Sequence, residues 1–128
     1  LLALCDLDHF KRVNDTWGHQ VGDEVLRACA SRLGERLGEG VLFGRYGGEE
    51  FLLGAPVAGE DRSLLEGLLE ALRPPLSTRS GLVEVTMSAG AVWAPRGSSL
   101  DACLARADQA LYRAKAEGRD RAVLLPAP

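Results

Sequence analysis

The hydrophobic pattern of this chain predicts one mixed α/β (α+β) domain, a central β-sheet of about five strands flanked by helices. Three observations carry that expectation. Strand-like apolar runs are interleaved with apolar stripes repeating every four residues. Two of the runs are joined by a Gly-Gly link of the kind that closes a hairpin. A length of 128 residues at 46% hydrophobic content suits one core and one domain spanning 1–128.

The elements follow in order. Leu1 to Cys5 is a continuous apolar run, the pattern of a strand covered on both faces; Asp6 and Asp8 end it, with Phe10 beyond. Val21, Val25, Cys29, Leu33 and Leu37 form a helical stripe stopped by Gly38 and Gly40. Val41–Tyr46 and Glu50–Leu53 read as a hairpin around Gly47-Gly48. Leu64, Leu65, Leu68, Leu69 and Leu72 mark a second helix, ended by Pro74-Pro75. Val83, Val85 and Met87 alternate with Glu84, Thr86 and Ser88, which predicts one strand running toward Trp93. Ser98 or Ser99 caps a third helix with Leu100, Leu104, Ala107 and Leu111 inward, and Ala122–Leu125 is a last strand.

Composition narrows the function classes. A net charge of −3 leaves no basic footprint for nucleic acid. Cys5, Cys29 and Cys103 are odd in number, widely spaced and set in apolar runs, which predicts buried reduced thiols and a cytoplasmic location. No apolar run reaches the ~18 residues that span a bilayer. The first residue is not Met, so sequence upstream is expected, and a membrane anchor there stays open.

Two acidic clusters carry the chemical signal. Asp6 and Asp8, at i and i+2, share one side of an extended chain. Glu49 and Glu50 follow the Gly-Gly turn directly. If the first strand lies beside the hairpin, these carboxylates converge, and Mg²⁺ with a nucleotide phosphate is the natural counter-charge. Two ions about 3.5–4 Å apart suit in-line displacement at phosphorus; solvated loop acids are the plainer alternative. Gly47 and Gly48 either serve the turn alone or let a ligand approach the backbone. Only two of the 15 basic residues are lysines. Lys11 is placed to reach phosphate oxygens. Lys115 and Arg119 sit i, i+4 where a helix ends, which equally suits complementation of the helix dipole. Asn14 and Asp23 have the groups to read a purine edge, or to serve turns. His9 and His19 read as surface residues or as residues just behind the site, Trp17 and Trp93 as core or rim aromatics, and Arg45 as a local ion-pair former.

Taken together, DLDHFKRVNDTWGHQVGDEVL from Asp6 to Leu26, RYGGEEF from Arg45 to Phe51 and ADQALYRAKAEGRDR from Ala107 to Arg121 resemble the GGDEF family of diguanylate cyclases, in its GGEEF variant. The resemblance covers essentially the whole chain. It implies a nucleotidyl-cyclase, ferredoxin-like palm and the Mg²⁺- or Mn²⁺-dependent condensation of two GTP into cyclic di-GMP, with two ions per half-site. It implies that Asp6, Glu49 and the Leu7 carbonyl ligate metal, that Glu50 completes the acidic metal site, and that Asp8 either supports the ligands from behind or ligates a second metal. Glu49 is implied as general base and Lys11 as the transition-state cation. Asn14 and Asp23 fall on guanine-reading positions, Phe10, Gly47 and Gly48 beside the substrate, and Lys115 and Arg119 on the phosphates. The implied partners are a second copy of the domain and an upstream sensory or receiver domain. A degenerate, GTP-binding regulatory module is the alternative.

The chain departs from the family pattern in places. Gly38 and Val41 stand where the product-inhibition motif RxxD places Arg and Asp, so no such site is expected. Asp120 replaces a usual Asn, and Ala89 a larger apolar residue. The helix that usually precedes the first strand, lining the guanine pocket, is absent from the sequence, which predicts weaker GTP binding.

Overall fold

A computed structural model describes residues 1–57 and 62–128. The elements are β1 (Leu2–Leu7), α1 (Phe10–Trp17), α2 (His19–Gly34), β2 (Leu42–Gly47), β3 (Glu50–Gly54), α3 (Ser63–Leu72), β4 (Leu76–Thr78), β5 (Gly81–Val83), β6 (Met87–Val92), α4 (Leu100–Ala116) and β7 (Arg121–Leu125). The main sheet has five strands in the order β2-β3-β1-β6-β7. All its pairings are antiparallel except β6 with β7. The expected mixed sheet of about five strands is therefore the observed one.

Strand periodicity divides β1 between two layers. Ala3, Cys5 and Leu7 join Val25, Leu33, Leu65 and Leu72 in the larger core, under α2 and α3. Leu4 faces the other way, into a smaller core with Cys103, Ala107 and Leu111 of α4. Asp6, two residues on from Leu4, thus projects toward α4. Its neighbours in the sheet are Glu50 of β3 and Ser88 of β6, so the acids of β1 and the hairpin are brought side by side.

The layer under α4 is thin because the helix lies almost on the strand. A Cβ on Gly90 would stand 2.0 Å from the Leu111 nitrogen and 2.3 Å from the Ala107 carbonyl oxygen. Glycine is the residue that this approach permits.

Several boundaries differ from expectation. α1 has no counterpart in the sequence reading, because an eight-residue helix burying only Phe10 and Val13 gives too short a periodic signal. The first striped helix starts earlier, at His19, and ends at Gly34, so Leu37 packs from outside it. Val83, Val85 and Met87 alternate inward as read, but they do not form one strand. β5 turns back at Gly81 (φ 117°) to pair with β4 in a separate two-stranded sheet. On α4, Leu100 is exposed and Leu104 half-buried, while Cys103, Ala110 and Ala114 are buried instead. Small residues hold those positions because the helix sits so close to β6. Ser99, the second of the two candidate caps, accepts the Ala102 N–H. All three cysteines are free and buried.

Candidate active site

The hairpin loop is pinned from within. Gly48 adopts a positive φ of 35°, and Arg45 Nε donates to its carbonyl oxygen at 2.8 Å. Arg45 therefore braces a turn, where an ion pair was expected. The Leu7 N–H donates to the Glu49 carbonyl at 3.2 Å, so the loop is also tied to the end of β1.

Two adjoining cavities open at this edge of the sheet. The smaller, about 160 Å³, is lined by Asp6, Leu7 and Asp8 from β1 and its end, by Lys11 and Glu49, and by Lys115 and Arg119 from α4 and the turn after it. The larger, about 320 Å³, is lined by Asn14, His19, Asp23 and Leu26, with Arg45 and Gly48 on the hairpin side. Phe10, Lys11 and Glu49 line both and mark where they meet. Acid and cation thus collect in one compartment, and side chains able to read hydrogen-bonding edges in the next. A roomier cleft of about 710 Å³ lies behind Asp8 and Thr86, beside Trp17 and Leu82. It gathers only Asp8 of the expected residues, so size there does not track chemistry.

Electrostatics sharpen the small cavity. Burial raises the Asp6 carboxyl above its ordinary value; Lys115 pulls it back down, while Glu49 and Asp8 push the same way as burial. Lys115 Nζ donates to Asp6 Oδ2 at 2.7 Å. Burial also raises Glu50, with Asp6 adding to the shift and Lys115 opposing it. Among the described residues no three His, Cys, Asp or Glu side chains are grouped as a ready cation cage. The donors present, Asp6, Glu49 and the Leu7 carbonyl, suit an ion that binds through one or two carboxylates and completes its shell with phosphate oxygens and water.

Of the expected site residues, Asp6, Leu7, Asp8, Phe10, Lys11, Asn14, Asp23, Gly48, Glu49, Lys115 and Arg119 all line one cavity or the other. Gly47 and Glu50 line neither, although Glu50 is electrostatically coupled to Asp6 and Lys115. Three contributors were not read from the sequence. Gly22 leaves room for the Asn14 side chain, since a Cβ there would meet Asn14 Oδ1 at 1.9 Å. Thr86 and Ser88 both donate to Asp8 at 2.6 Å. Their signal was present as the polar half of an alternating strand. His9, exposed, begins α1 in a left-handed conformation, and Trp17 and Trp93 are rim residues.

The comparisons agree with this geometry. The family model described as "Diguanylate cyclase, GGDEF domain" matches residues 1–121. Diguanylate cyclase DgcP of Pseudomonas aeruginosa is 44% identical over 124 residues, which is 94% of this chain; the chain spans only 18% of that relative's length. Diguanylate cyclase SiaD from Pseudomonas aeruginosa, solved in complex with its activator SiaC, superposes with a TM-score of 0.89 at 38% identity, covering 97% of this chain and 49% of that one. The coiled coil and GGDEF domain of DgcB from Caulobacter crescentus, solved with c-di-GMP, gives a TM-score of 0.87 at 37% identity, covering 97% and 68%. With its sheet order, its acidic hairpin and its family match over residues 1–121 in agreement, the chain belongs to the GGDEF domain family of diguanylate cyclases.

Proposed function

We propose that this domain condenses two molecules of GTP into cyclic di-GMP and two pyrophosphates. The observation that carries the reading is the meeting of an acid-and-cation cavity with a polar, base-sized one at Lys11 and Glu49. Relatives named diguanylate cyclases and a neighbour solved with c-di-GMP support it.

In this reading Asp23 accepts from the guanine N–H groups and the Asn14 amide pairs beside it, with Phe10 walling the base. Gly47 and Gly48 keep side chains out of the way of the nucleotide. Asp6, Glu49 and the Leu7 carbonyl, with Glu50 beside them, hold Mg²⁺ or Mn²⁺, two ions per half-site. When bound there, the metal would supply positive charge for the attacking hydroxyl and the leaving group. Glu49 accepts the proton of the ribose 3′-hydroxyl of the facing GTP. The O3′–Pα bond forms as the bond from Pα to the bridging oxygen breaks, and pyrophosphate leaves. Lys11, Lys115 and Arg119 bear the growing negative charge. One domain holds one GTP, so two copies meet about a twofold axis.

SiaD was solved with a protein activator, which supports a regulatory partner for this domain too, such as a sensory or receiver domain. Among the described residues no helix is long and apolar enough to cross a membrane. A cytoplasmic site of action, where GTP is supplied, fits the reading.

The test is product identification by mass after incubation with GTP and Mg²⁺. Cyclic di-GMP is expected; cyclic GMP, or GTP bound but unconsumed, overturns the proposal. Glu49→Gln is expected to lower turnover by about 10²–10⁴-fold while the domain stays folded. Turnover close to wild type removes the role given to Glu49.

A further inference from the structure

Asp8 differs from the other acids at the site in how its oxygens are used. Oδ1 accepts from Ser88 Oγ at 2.6 Å, and Oδ2 accepts from Thr86 Oγ1 at 2.6 Å and from the Asp120 N–H at 3.0 Å. Both hydroxyl contacts have the short length typical of O–H groups donating to a carboxylate. Asp8 is 6% exposed and Ser88 0%, so water does not compete for the contact between them; Thr86 is half-buried and Asp120 exposed. Asp6, by contrast, carries one side-chain donor, Lys115, among the described residues.

The third donor lies in an unusual turn. Gly118, Arg119 and Asp120 have φ of 126°, 65° and 47°, so two consecutive non-glycine residues are left-handed where α4 passes into β7. Such conformations persist only where their surroundings fix them. The Arg119 N–H is tied back to the Ala114 carbonyl at 3.0 Å, and the Asp120 N–H is tied to Asp8. Two further ties are solvent-exposed and hold less: Arg121 Nε donates to the Arg119 carbonyl at 2.9 Å, and Arg73 stands 3.8 Å from the Asp120 carboxylate. Arg119 lines the small cavity from this turn, with Lys115 one helical turn before it.

We propose that Asp8 is a positioning residue rather than a metal ligand: it fixes the Arg119–Asp120 turn and so holds Arg119 over the phosphates. The inference rests on the GTP site proposed above. It also accounts for Thr86 and Ser88, whose hydroxyls both donate to Asp8.

The test measures binding of 3′-deoxy-GTP, which lacks the attacking hydroxyl, as a function of Mg²⁺. Asp8→Asn keeps an oxygen acceptor for the Asp120 N–H and an amide that pairs with a hydroxyl, but removes the charge. A positioning role predicts a nucleotide Kd within about threefold of wild type and an unmoved Mg²⁺ midpoint. A rise in that midpoint of about tenfold or more marks Asp8 as a ligand and overturns the proposal. Asp8→Ala, which releases the turn, is expected to raise the nucleotide Kd about tenfold at saturating Mg²⁺. It should also shrink the effect of Arg119→Ala. A Kd unchanged by Asp8→Ala overturns the proposal as well. Should Asp8→Ala not fold, Thr86→Val weakens the same anchor and is expected to raise the Kd about threefold; no change counts against it. Wild-type protein that binds the analogue but makes no cyclic di-GMP from GTP overturns the functional reading and leaves the Asp8 comparison intact.

Discussion

Asp6 is a carboxylate that the fold holds out of water and compensates incompletely. Burial raises its carboxyl, and Lys115 offsets only part of that shift. A carboxyl raised in the folded state binds its proton more tightly than the unfolded chain does. Its contribution to stability is therefore greatest at acid pH and is lost as pH rises through the folded value. We expect the metal-free domain to lose stability by this route as pH rises from the ordinary carboxylate value of about 4 through the raised folded value, and Asp6→Asn to flatten that slope. Urea denaturation across the range, compared between the two proteins, reads it directly; parallel curves remove Asp6 as the source. The same proton competes with metal, so the apparent Mg²⁺ affinity is expected to rise with pH through the same window. The acid pairs were visible in the sequence, but spacing alone left solvated loop acids open; Asp6 lies inside β1, Asp8 past its end, and Glu50 lines neither cavity. The tie between Asp8 and Asp120 was not legible. It joins positions 112 apart in the chain through a backbone N–H that no sequence pattern announces.

At the level of elements, two glycines set where the working side chains stand. Gly90 lets α4 rest on β6, and α4 carries Lys115 at its end. Gly90→Ala would push a methyl group into the helix backbone, which no rotamer change relieves. A loss of about 3 kcal/mol is expected, readable as a thermal midpoint lower by on the order of 10 °C. A midpoint within a degree or two of wild type would show that the helix shifts freely. Gly22 acts between α1 and α2, where its missing side chain is filled by Asn14. Gly22→Ala is expected to raise the KM for GTP about tenfold with little change in kcat, because it displaces Asn14, the residue proposed to read the base, and touches no reacting atom. A kcat loss at unchanged KM would place Gly22 elsewhere in the mechanism. Long, strongly periodic elements such as α2 and α4 were legible in the sequence. α1 and the β4–β5 pair were not, because two buried residues or a three-residue strand fall below any period. Which strand β5 joins depends on the turn at Gly81 and not on its own alternation.

For the whole molecule, the order of strands does what no single element can. β1 lies between β3 and β6, so its carboxylates meet the hairpin on one side and the α4–β7 turn on the other. That placement was inferable only in part: the hairpin and the acid pairs suggested adjacency, but the central position of β1 is a property of the assembled sheet. On the proposed reading the cavities serve one nucleotide and the reaction needs two, so a single domain would be half an enzyme. Bringing two loaded domains together supplies the orientation that makes each 3′-hydroxyl a near neighbour of the opposite α-phosphate. Turnover should then depend on encounter. At dilute protein and saturating GTP, the rate is expected to rise with about the second power of domain concentration. Fusing a parallel dimeric coiled coil ahead of β1 should raise specific activity in that regime about 10²-fold, by replacing an encounter with an effective concentration. The readout is initial rate against protein concentration for the free and fused forms. A first-order dependence down to the lowest concentrations, with no gain on fusion, would mean that one domain completes the chemistry alone, and the symmetric half-site scheme would fall with it.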